Sequence, residues 1–131
     1  MTINNAYAKY REQSILTAGP GDLVLMLYDG CLKQMRLAKA AIEASDLEKA
    51  SQSLMKAQDI LAALMQGLDL DISLSADLLS LYEFLHHELV MANVNKDASR
   101  IAPVEEMVTD LRATWEQVVR ESRGQVRAAG E

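Results

Sequence analysis

The stretch Leu16–Gly30, LTAGPGDLVLMLYDG, decides how this chain folds. Gly19-Pro20-Gly21 interrupts whatever precedes it, and proline suits the first turn of a helix, where its missing N–H is an orphan in any case. Asp22 sets a negative charge near the positive end of the helix dipole. Leu23, Val24, Leu25, Met26, Leu27 and Tyr28 follow with little polar surface between them. A helix that is apolar on all sides for nearly two turns has to be covered on more than one side. It is either an inner element of a bundle or a helix with a face reserved for something else.

Outward from that stretch, Val24, Tyr28, Cys31, Met35, Ala38 and Ile42 recur at steps of four and three, a heptad seam that predicts a first helix over about 20–44. On this reading Val24, Tyr28 and Cys31 hold the core, and Leu23 and Leu27 extend the stripe to one side. Ser45-Asp46-Leu47-Glu48 reads as a capping box with Ser45 as the cap, opening a second helix over about 46–67. Its seam is the strictest in the chain (Leu47, Ala50, Leu54, Ala57, Leu61, Leu64, Leu68), and Gly67 is its stop. A third helix over about 73–95, capped by Ser73 or Asp71, carries Leu74, Leu78, Leu81, Leu85, Leu89 and Ala92. Asp97 caps a fourth element. Pro103 lies beyond the tolerant first turn and is expected to kink the helix, or to split it into a short turn at 98–101 and a main helix from Ala102 to about 123. Val104, Val108, Leu111, Trp115 and Val118 are its seam. Small polar residues from Gly124 to Glu131 are expected to be disordered, and residues 1–18 form an N-terminal arm. Four amphipathic helices with short connections specify an all-α, antiparallel up-and-down four-helix bundle.

Composition narrows the function. One domain is the default for 131 residues, and half of them are hydrophobic, enough for a core. A net charge of −6 argues against a nucleic-acid partner, which needs a basic stripe. No apolar run approaches the ~20 residues that cross a bilayer, so no membrane partner is expected. The N-terminus MTINNAYAKYREQ lacks the apolar core of a secretory signal. A single cysteine, Cys31, permits no internal disulfide.

The residues offer no catalytic constellation. Cys31 sits on a helix seam, where a thiol acts as a small hydrophobe. His86 and His87 are adjacent and point about 100° apart on a helix, whereas a zinc pair needs spacing near i, i+4. Asp69-Leu70-Asp71-Ile72-Ser73-Leu74-Ser75 imitates a calcium loop, but leucine stands where the loop needs glycine, and Ser80 where it needs glutamate. No cofactor, no metal and no enzyme activity are therefore expected. What remains is surplus apolar surface: Leu25, Leu32, Ile60, Met65, Leu79, Met91 and Val94 lie off the seams. Such surface makes either a wide core or homodimer face, or grooves for amphipathic segments of another protein. Tyr7, Tyr10, Ile15 and Leu16 are apolar anchors in the polar arm, which packs on the bundle or covers a groove and can leave it.

The order of these features resembles the FliS family of flagellin-specific export chaperones. The resemblance is carried by Tyr10 and Thr17-Ala18, Pro20 with LVLMLYDGCLK, KAQDIL (Lys56–Leu61), LYEFL (Leu81–Leu85), ELVMAN (Glu88–Asn93), Lys96-Asp97 and LRATWEQV (Leu111–Val118). Where many members have a basic pair on the third helix, this chain has His86-His87. The resemblance implies a cytosolic, non-enzymatic helical bundle whose partner is the disordered C-terminal segment of flagellin, with other flagellar export or regulatory proteins as further partners. It also implies that the arm, through Tyr7, Tyr10, Ile15 and Leu16, occupies apolar surface and is moved by the client. Leu23, Leu27, Ile60, Met65, Leu79, Met91 and Val94 complete the expected contact set. The rival reading from the residues alone is a structural homodimeric bundle whose spare faces are permanently paired.

Overall fold

The computed structural model describes residues 20–130, with side chains for 21–121. Four helices occupy it: α1 (Pro20–Glu43), α2 (Leu47–Gln66), α3 (Ser73–Asn95) and α4 (Ala98–Gly130), with no strand among the described residues. The connections 44–46, 67–72 and 96–97 are too short for a helix to return in parallel, so the bundle is antiparallel throughout. α1 and α3 each pack on α2 and α4, and across the diagonal the side chains of α1 and α3 meet at Tyr28 and Tyr82.

The seams meet in the middle. Tyr28, Cys31 and Met35 of α1, Leu54 and Leu61 of α2, Leu85 and Leu89 of α3, and Ile101, Val104 and Val108 of α4 are all fully buried. Each helix faces two neighbours, so its buried stripe is wider than a two-helix seam. That width corrects two expectations. Leu32 and Ile60, read as surplus, are core residues, and so are Leu23 and Leu27. Val24, read as core, is only partly buried.

Both tight turns use one device. Ser45 adopts φ 58°; its N–H donates to the Ile42 carbonyl (3.0 Å), and the Asp46 N–H donates to the Ala41 carbonyl (2.8 Å). This closes the last turn of α1. Asp46 then caps α2, its carboxylate accepting from the Lys49 N–H at 3.2 Å. The same geometry recurs after α3, with Lys96 at φ 50° and the Asp97 N–H donating to the Ala92 carbonyl at 3.0 Å. The Asp97 carboxylate accepts from the Ser99 N–H (3.0 Å) and hydroxyl (2.6 Å). Ser45 is therefore not the cap: an N-cap needs extended backbone, and Ser45 is in the left-handed region. Ser73 and Asp71 do not cap either, because Ile72 holds that position in extended geometry with no side-chain acceptor.

Pro103 neither splits nor ends α4. The N–H it lacks would have bonded the Ser99 carbonyl, and both residues are exposed, so the missing bond falls on the solvent side of the helix rather than in the core. α4 also runs past Arg123-Gly124 to Gly130, where disorder is the sequence expectation. One glycine costs a helix only about 1 kcal/mol, and Gln125 to Ala129 include good helix formers.

Candidate functional site: an apolar groove between two helices

The α3–α4 packing is the least extensive of the four. Toward the start of α3 and the later half of α4 the seams stop meeting. Leu74 is 60 % exposed and Val118 48 %, although both occupy seam positions. Between them lies an open groove of about 530 Å³. Leu74, Leu78 and Leu81 form its α3 wall; Met107, Leu111, Trp115 and Val118 form its α4 wall; Tyr28 of α1 lies at its base.

A second cavity of about 260 Å³ adjoins it, lined by Leu23, Val24 and Leu27 of α1 and by Ala63, Leu64, Gly67 and Leu68 of α2. Leu78 and Trp115 line both spaces. Tyr28 faces the groove and Tyr82 the second cavity, and their buried hydroxyls meet at 2.5 Å. Burial, reinforced by Tyr82, pushes the Tyr28 phenol far above its usual range; burial also raises Tyr82. Both rings therefore stay neutral.

Trp115 is fixed from the other side. Its indole N–H donates to the Gly21 carbonyl at 3.2 Å, tying α4 to the first turn of α1. A β-carbon on Gly21 would stand 2.6 Å from Val119 Cγ2, so the glycine permits this close approach. Arg112 strengthens the same seam by bridging Asp29 of α1 and Glu116 of its own helix.

Little in this region suits bond-making chemistry. Cys31 is wholly buried, its Sγ lies 3.9 Å from the Ala57 carbonyl, and burial pushes the thiol up to about 12. The thiol therefore stays protonated at neutral pH and is a poor nucleophile. His86 is half-buried on α3, its pKa lowered by desolvation against the opposing pull of Asp59. No helix among the described residues is long and apolar enough to cross a membrane.

The expected contact residues scatter. Tyr7, Tyr10, Ile15 and Leu16 lie outside the described residues. Leu23 and Leu27 line the smaller cavity from within the core. Ile60 is core, and Met65 is partly buried against it. Leu79 and Met91 are half-buried, and Val94 is 71 % exposed; none of the three lines the groove. The groove is built instead from seam leucines and Trp115. Sequence reasoning passed over them because a heptad position looks the same whether or not a partner helix covers it.

The family model of the flagellar protein FliS matches residues 3–122. The flagellar secretion chaperone FliS of Bacillus subtilis is 44% identical over 123 residues, covering 94% of this chain and 92% of that protein. The Salmonella typhimurium protein of the same name is 30% identical over 117 residues, 86% of this chain and 87% of its own. A crystal structure of a bacterial flagellar chaperone superposes with a TM-score of 0.74 at 20% identity, covering 89% of this chain and 97% of the other, a likeness of fold. With the family model spanning nearly the whole bundle, this chain belongs to the FliS family.

Proposed function

We propose that this protein is a cytosolic, non-enzymatic export chaperone that holds the C-terminal segment of flagellin, keeps it from polymerising and delivers it to the flagellar secretion system. The observation that carries this reading is the α3–α4 groove, where seven apolar side chains from two helices leave a trough open to solvent. An apolar trough between two helices is the shape that receives the apolar face of an amphipathic segment. A disordered client that folds on binding needs about 1,000–3,000 Å² of contact to offset its ordering entropy. The groove supplies an anchor, and the outer helix faces supply the remainder. The kinship with flagellar secretion chaperones supports an export role, and the net charge of −6 keeps so apolar a surface soluble before the client arrives.

Calorimetric titration tests the proposal. Flagellin should bind one-to-one, and flagellin lacking its C-terminal segment should not bind measurably. Equal affinity for the two forms would exclude the segment as the client.

A further inference from the structure

The groove contains one charge. Four of its lining side chains have polar atoms, and two of these are committed within the protein: the Tyr28 hydroxyl to Tyr82 and the Trp115 indole to the Gly21 carbonyl. Thr114 and Asp110 remain. Two other carboxylates of α4 are paired, Glu105 with Lys39 and Glu116 with Arg112 and Arg120, and neither lines the groove. The Asp110 carboxylate has no ion pair among the described residues.

Resting on the reading of this groove as the client's seat, we infer that Asp110 is its specificity residue, selecting a client helix with a lysine or arginine at the end of its apolar stripe. Both walls are helices whose backbone groups are bonded internally, so an extended strand would bury unpaired amides there. A helix satisfies its own. Met107 to Val118 spans about 16 Å at ~1.5 Å per residue, room for two to three turns.

A carboxylate on the wall of an apolar trough loses water when the trough is covered. Opposite an apolar or acidic residue, that loss opposes binding. Opposite a cation, it becomes a charge-assisted contact. Because α3 and α4 are antiparallel, Asp110 lies toward the Leu81 end, and Leu74 with Val118 marks the other. The cation therefore sits at one end of the client's anchor stripe, which fixes register as well as choice.

The test uses the full-length chaperone and a labelled peptide of the flagellin C-terminal segment, titrated by fluorescence anisotropy at several salt concentrations. Asp110→Asn should weaken binding about five- to tenfold and flatten its salt dependence. Asp110→Lys should weaken it further, and replacing the matching peptide cation by glutamate should restore it. Glu48→Gln, which removes an exposed charge from α2, should change affinity less than about twofold. If Asp110→Asn behaves like Glu48→Gln while the wild type binds, the specificity role is overturned. If the wild type does not bind the peptide, the proposed function fails and this inference fails with it.

Discussion

Leu74 separates the work of the groove from the work of the core. It opens α3 with 60 % of its surface in water. Full burial of a leucine is worth about 1.5–3 kcal/mol, so covering that remaining surface with a client contributes about 1–2 kcal/mol. Leu74→Ala should therefore raise the dissociation constant about 5- to 30-fold. Leu74→Glu sets a carboxylate beneath an apolar helix, adds a desolvation penalty, and should weaken binding by about 100-fold or more. Neither change touches packed core, so the free protein should keep its stability within about 0.5 kcal/mol. Leu61→Ala is the contrasting perturbation: Leu61 is 0 % exposed, and its truncation should cost about 2–5 kcal/mol. Peptide titration followed through Trp115, alongside thermal melts, reads both quantities. Leu74→Glu binding as tightly as wild type, with an unchanged melt, would refute the groove as the docking site.

The buried tyrosine pair should behave as a unit. Tyr28→Phe leaves the Tyr82 hydroxyl unpartnered and should cost about 1–3 kcal/mol; Tyr28→Phe with Tyr82→Phe should cost less than the two single changes summed, by denaturant unfolding. The folded Tyr28 phenol titrates far above its ordinary 10.0. The unfolded state therefore loses its proton first, and stability that is full below pH 10 should fall above it, while the doubly substituted protein loses this alkaline limb. Ser45→Gly should stabilise by about 0.5–1 kcal/mol in thermal melts, because glycine carries no penalty at φ 58°.

Much of the fold was legible in the sequence. The seams through Tyr28, Cys31 and Met35, through Leu54 and Leu61, and through Leu85 and Leu89 place the core, because a heptad repeat on four short-linked helices has one compact solution. Gly67 and Asp97 also act where the sequence puts them, as a stop and a cap. Ser45 and Lys96 escape such reading, since left-handed geometry at a residue other than glycine is imposed by the closing hydrogen bonds of the turn. Leu32 and Ile60 escape it because each helix has two neighbours. The groove escapes it for a third reason. Periodicity reports that Leu74, Leu78 and Trp115 need cover, and only packing shows that no part of the described bundle provides it.

Amide hydrogen exchange on the complex with the flagellin C-terminal segment, read by mass spectrometry, tests the central claim most directly. Exchange in the first half of α3, around Leu74 to Leu81, and in α4 around Met107 to Val118 should slow more on binding than in any other part of the bundle. Protection confined to the outer faces of α1 and α2, with those two segments exchanging as in the free protein, would contradict it.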